Sequence, residues 1–214
     1  MNLFKVTFII FFFFFGQNLF SQKYSFKIQG QYSHYEYENS EKADSKIVFL
    51  CNNEDDTTMK FFVVNDTVKN ISIFDKKSSK VFFSEGGFIL DNKTNLNYKL
   101  SNCKFDAREL FYEEKTNKNV TVSTDAIGEE NIINIRETKK RKTIYDLYIK
   151  TVKNSKYINT QNFTIGMITH HRIWDIYKIN SEVVLESYYL KKNIKTDIYK
   201  LDNIEDVNFE ITLK

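Results

Sequence analysis

From Tyr24 to Ser33 the chain alternates without a break. Tyr24, Phe26, Ile28, Gly30 and Tyr32 interleave with Ser25, Lys27, Gln29, Gln31 and Ser33. A period of two puts one set on each face of an extended strand, so this stretch reads as half-buried β-structure. Similar short runs recur along the chain: Lys46–Cys51, Met59–Val64, Asn70–Phe74, Lys80–Ser84, Leu96–Leu100, Asn119–Ser123 and Ile132–Glu137. They continue through Thr143–Val152, Phe163–Thr169, Arg172–Ile179, Val183–Leu190, Thr196–Leu201 and Val207–Leu213. The chain has no proline and few glycines, and Asn and Asp stand between the runs, as at Asn52-Asn53, Asn65-Asp66, Asp91-Asn92, Asn180-Ser181 and Asp202-Asn203. These residues tolerate left-handed backbone and form Asx-turns. Many short strands without long helical segments predict a mainly β, antiparallel domain: a meander, a sandwich or a curled sheet.

One short helix is expected near 107–115. Asp106 fits the N-cap, Glu109 closes a capping box three residues later, and Phe105 can staple against Leu110. The helix would run from Ala107 to Lys115. No Gly-, Ser- or Pro-rich linker interrupts the sequence, so residues 22–214 are expected to form a single domain. The Leu-Asp-Asn segments at Leu90 and Leu201 are each followed by an aliphatic-Asn-aromatic triplet. In a chain this rich in Asn and Asp, that likeness reads as coincidence.

The most apolar segment stands apart from this pattern. Lys5 precedes Val6–Phe15, which includes five consecutive phenylalanines and a single polar residue, Thr7, before Gly16. The run matches a secretory signal core of about 7–15 residues and falls short of the roughly 20 needed to cross a bilayer. Ser21 is small enough to precede the cut, so residues 1–21 read as a signal peptide with cleavage between Ser21 and Gln22. The expected destination is the periplasm, the cell surface or the medium. The mature chain has no segment that reads as a transmembrane helix.

Removing that segment takes away one lysine and no acid, leaving the mature chain near charge balance. A balanced surface disfavours nucleic acid as a partner, since that usually demands a basic face. Export would also expose Cys51 and Cys103 to an oxidising compartment, where the two can pair. Such a bond would close a loop of about 50 residues, worth roughly 4 kcal/mol in the chain-entropy account. The alternative is two buried thiols.

The chemistry-bearing residues form no recognised motif. Adjacent strand residues point to opposite faces, so His170-His171 cannot chelate one ion unaided. His34 is the third histidine, and no His-x-His, His-Glu-x-x-His or Cys-x-x-Cys spacing occurs. Glu54-Asp55-Asp56 and Glu129-Glu130 lack the spacing of a calcium loop and read as surface turns. Lys139-Lys140-Arg141-Lys142 reads as a solvated hairpin tip. Trp174 reads as core. Gly-x-Ser-x-Gly and Gly-rich phosphate loops are absent. Neither a metal nor a cofactor is implied. Tyr35 and Tyr37 share a strand face among charges and are the best sequence candidates for a contact surface. The reading that results is an exported, non-catalytic protein that binds a ligand or an envelope partner. The alternatives are a carrier of an apolar ligand, a secreted hydrolase with a spatially assembled site, and a small outer-membrane β-barrel.

Overall fold

The computed structural model describes residues 22–52, 57–75, 77–90, 96–109, 120–139, 142–153 and 182–213. The described residues form eleven strands. β1 (Gln22–Tyr37), β2 (Ser45–Cys51), β3 (Thr57–Val64), β4 (Thr67–Asp75), β5 (Lys80–Glu85) and β6 (Asp106–Glu109) make the first half. β7 (Val120–Ile127), β8 (Glu130–Lys139), β9 (Lys142–Lys153), β10 (Glu182–Lys191) and β11 (Ile194–Leu213) make the second. All lie in one antiparallel sheet of order β6-β5-β4-β3-β2-β1-β11-β10-β9-β8-β7. Two meanders therefore meet along the β1–β11 seam, where Gln22 pairs with Leu213 at one end and Tyr37 with Thr196 at the other.

Turn chemistry accounts for much of this order. Asn65 and Asp66 join β3 to β4 with φ of 49° and 57°. Positive φ at both central residues is the I′ hairpin turn, whose twist matches the strands it joins. Lys192 and Asn193, at 51° and 65°, do the same between β10 and β11. Of the basic run expected to form a hairpin tip, Lys139 pairs with Lys142 at the end of the β8–β9 ladder; Lys140 and Arg141 lie outside the described residues.

Both faces of the sheet carry core. Ile47, Phe49 and Cys51 of β2 belong to one buried cluster, with Ile28 and Tyr32 of β1 and Ile133, Ile135, Leu147 and Ile149 of β8 and β9. The alternate β2 residues, Val48 and Leu50, belong to a second cluster, with Met59, Phe61 and Val63 of β3 and Ile71 and Ile73 of β4. Successive strand residues point to opposite faces, so β2 is buried on both sides. β1 serves both clusters: Tyr24 and Phe26 pack in the second, Ile28 and Tyr32 in the first. The β1–β11 register shifts between Phe26 and Ile28, and such an irregularity bends and twists the ladder where the strand changes core. The Tyr32 hydroxyl donates to the Val184 carbonyl at 3.1 Å and ties β1 to β10 across the first cluster.

Three local expectations are corrected. The helix expected over 107–115 does not begin there. Asp106–Glu109 is strand β6, with Phe82 opposite Ala107, so its backbone groups are spent on the β5 edge; residues 110–115 lie outside the described part. The described helix is α1 (Leu96–Ser101), a stretch whose apolar residues read equally well as a strand. A spacing of four serves either period, and here Leu96 and Leu100 pack side by side into the second cluster. Asp202-Asn203 is no turn: β11 runs through it, and the β1–β11 register shifts between Gln31 and Tyr32. The Asp202 carboxylate accepts from Ser33 Oγ at 2.8 Å there. The Leu-Asp-Asn likeness fails structurally, since Leu96 is helical and Val207 extended.

Candidate functional site

An open cleft of about 750 Å³ lies over β3, β4, β5 and β6. Its floor follows from strand register. Lys60 pairs with Ser72, Ser72 with Phe83, and Phe83 with Asp106, so these four side chains cross one face of the sheet in a row. The adjacent row runs from Phe62 to Asn70 to Glu85. The segment Asn102–Lys104, which follows α1, forms a rim. Three strand spacings separate the Lys60 end from the Arg108 end, about 14 Å.

The two ends differ. At the β6 end the Arg108 guanidinium lies 5.3 Å from the Phe83 ring centroid, with Asp106 beside it, so charges of both signs meet at an accessible edge. At the β3 end Lys60 lies deeper. Its Nζ is 5.9 Å from the Phe49 ring centroid, over the first core, and burial pushes its pKa down to about 8. Ser72 and Asn70 bring a hydroxyl and an amide to the same end. The cleft thus joins an aromatic floor to a polar end, where Lys60, Ser72 and Asn70 stand with Glu85, the cross-strand partner of Asn70.

Cys103 lines this cleft, whereas Cys51 is sealed in the first core. Both thiols are free, so of the two readings the sequence left open, a bond or two thiols, the structure has the second. The reason is topological: Cys103 packs against the second cluster and Cys51 belongs to the first. Burial raises the pKa of Cys51 to about 12 and also raises that of Cys103, whose Sγ donates to the Lys99 carbonyl at 3.4 Å. A maleimide reagent is therefore expected to modify Cys103 slowly in the native protein and Cys51 only after denaturation. Mass spectrometry of labelled peptides checks this; equal labelling of both thiols under native conditions would contradict the placement.

His34 assembles a second cluster. Its Nδ1 lies 3.0 Å from Ser45 Oγ, its Nε2 lies 3.6 Å from Asp197 Oδ1, and its ring stacks on Tyr199 at 4.6 Å. Asp197 has φ of 49° beside the irregularity in the β10–β11 ladder. A serine, a histidine and an aspartate thus meet in space, but the Ser45 hydroxyl is no nucleophile in waiting. Ser45 is 5 % exposed, and acyl transfer needs a hydroxyl open to substrate with space for its carbonyl. The cluster fastens β1, β2 and β11 together.

The remaining sequence candidates are dispersed. Tyr35 lies under Lys200 Nζ at 5.4 Å, and Tyr37 is 59 % exposed at the end of β1; neither lines the cleft. Gln22 opens β1, while Ser21 lies outside the described residues, as do His170, His171, Trp174 and Glu54–Asp56. Glu129 is exposed in the β7–β8 turn, and Glu130 pairs with Lys150 at 2.7 Å. Among the described residues no group of three His, Cys, Asp or Glu could hold a metal, and no helix is long and apolar enough to cross a membrane.

Sequence reading missed Lys60. The signal was present: Met59–Val64 is apolar at every position but this one. A lysine in a strand buried on both faces is out of place unless its amine reaches an opening. No protein-family profile matches the chain, and no curated protein matches it.

Proposed function

We propose that this chain is an exported binding protein whose ligand occupies the cleft over β3–β6. The cleft itself carries the reading. Its volume lies within the range of small-molecule sites, and its lining joins aromatic surface to a few placed polar groups, the usual composition of such sites. The lysine, serine and asparagine at one end favour an amphipathic ligand over a purely apolar one. The buried Ser45 hydroxyl argues against the hydrolase alternative. Ion pairs across β8 and β9, Lys150–Glu130 and Arg136–Asp146, argue against a lipid-facing band on that surface, which a β-barrel would need. Export rests on Lys5, the Val6–Phe15 run and the small residue at Ser21.

Expression of the full chain in a bacterial host tests the destination. The product is expected outside the cytoplasm, with Gln22 as its first residue by N-terminal sequencing. Intact Met1 in the cytosol would refute export. Binding is tested on the same material: a small-molecule extract of the host envelope is expected to slow native labelling of Cys103 at least threefold. No protection by any fraction would remove the cleft from consideration.

A further inference from the structure

The two edges of the sheet differ in kind. β6 ends one side, and three of its four residues, Asp106, Arg108 and Glu109, are charged. Charge and shortness keep an edge strand from pairing further. β7 ends the other side. It is twice as long, has neither lysine nor proline, and carries a single charge, at Asp125. Most of its residues are Val, Thr or Ile, which suit extended pairing. Thr121–Ile127 is exposed throughout, and among the described residues no strand lies beyond it. Val122 is 37 % exposed although its β8 partner, Ile135, is fully buried. An edge of this length and composition is a template for another strand.

We propose that β7 joins two copies of this chain, pairing antiparallel with β7 of the second copy so that the two sheets meet edge to edge. Homodimers of this kind have a two-fold axis, and the axis limits the register. Facing residues in an antiparallel pair point to the same side, and the axis keeps the sides of the two sheets matched. An odd-numbered residue must therefore face an odd-numbered one. Centred on Ser123, the pairing runs from 120 to 126 and sets Asp125 opposite Thr121 of the second copy. The β8 partner of Thr121 is Arg136, so each Asp125 stands in a row with Arg136 of the other copy, on one face. Arg136 is held by Asp146 through Nε and Nη2 and keeps 46 % of its side chain exposed, so the relation is a charge bias across the axis rather than a closed ion pair. On the opposite face Val122 meets Thr124 of the second copy. This continues the row from Ile135 of one copy to Ile133 of the other and covers Val122. Centred on Thr124 instead, Asp125 faces Ser123, whose β8 partner is the uncharged Asn134. Centred on Asp125, two carboxylates oppose each other, which is destabilising. Registers centred further out pair less of the strand. Charge thus favours the Ser123 register.

The test measures the mass of the purified protein by sedimentation over a range of concentrations. A contact confined to one strand is small, so dimers are expected to form at about 10–100 µM. Ser123→Cys should then yield a disulfide-linked dimer on mild oxidation, because position 123 faces itself at a Cα separation of about 4.5–5.5 Å, within disulfide reach. The unaltered protein, with Cys51 sealed in the first core and Cys103 in the cleft, sets the background. Asp125→Lys should weaken association by about tenfold or more, since a lysine on an edge strand opposes pairing and here joins the row of Arg136. A monomer at every concentration would overturn the proposal, as would a dimer that neither Ser123→Cys nor Thr124→Cys can cross-link. Cross-linking through Thr124→Cys alone would support the β7 edge and overturn the register, with the part given to Asp125 and Arg136. If the variants do not fold, hydrogen exchange of the unaltered protein decides. Amides of residues 121–126 should gain protection as concentration rises, and exchange there that ignores concentration overturns the dimer.

Discussion

Phe49→Ala is expected to lower the free energy of unfolding by about 3–5 kcal/mol, the range for removing a large aromatic side chain from a packed core. Phe49 has no exposed surface, lies in the middle of β2, and meets the Tyr32 ring edge-on at 5.8 Å and 84°. The space left cannot close easily. Its partner on β1 is Gly30, which has no side chain to move in. Its partner on β3 is Lys60, whose ammonium gains nothing from a dry cavity. Domains of this kind are stable by about 5–15 kcal/mol, so the change removes a large share of the total. Urea unfolding checks it: the midpoint should fall while the slope stays constant. A loss under about 1 kcal/mol would mean that the first core is loosely packed around β2.

The parts of this fold that could be read beforehand are those governed by short-range chemistry. Asn65-Asp66 announces a turn because both residues accept left-handed backbone, and the turn is there. The alternation at Tyr24–Ser33 marks a strand for the same local reason. Asp202-Asn203 carries an identical signal and yields a bulge. The difference is set by β1, which continues alongside and offers Ser33 as a donor; nothing near residue 202 in sequence contains that information. Asp106 and Glu109 meet the rule for a capping box, but the exposed β5 edge takes their backbone first. The cleft was illegible for a related reason. Lys60, Ser72, Phe83 and Asp106 come from four strands and become neighbours only through register. Only Lys60 left a local trace, a charge within an apolar run.

Gly86→Ala is expected to destabilise the protein by about 3 kcal/mol, at the upper end of overpacking effects. A Cβ at Gly86 would overlap the carbonyl oxygen and carbon of Val68 and come within 2.7 Å of its Cγ1. Those atoms cannot easily retreat. The Val68 carbonyl accepts from Gly87 N at 2.7 Å, Gly86 N donates to the Lys69 carbonyl at 2.9 Å, and Val68 N donates to the Phe88 carbonyl at 2.8 Å. The Val68 side chain is fully buried in the second core, so moving its backbone would disturb that core. Gly87 supplies the contrast. It has φ of 94° and open space where a Cβ would go, so Gly87→Ala should cost only about 1–2 kcal/mol, from backbone conformation alone. Close approach and positive φ thus predict opposite rankings at adjacent positions, and thermal or urea unfolding of the two variants separates them. Greater damage from Gly87→Ala would show that conformation, not contact with β4, fixes this turn. The ranking reaches the cleft as well, because Gly86 lines it and Gly87 does not. Displacing β4 at Val68 would also shift Asn70, two residues on, a cleft residue that Gly87→Ala should leave in place.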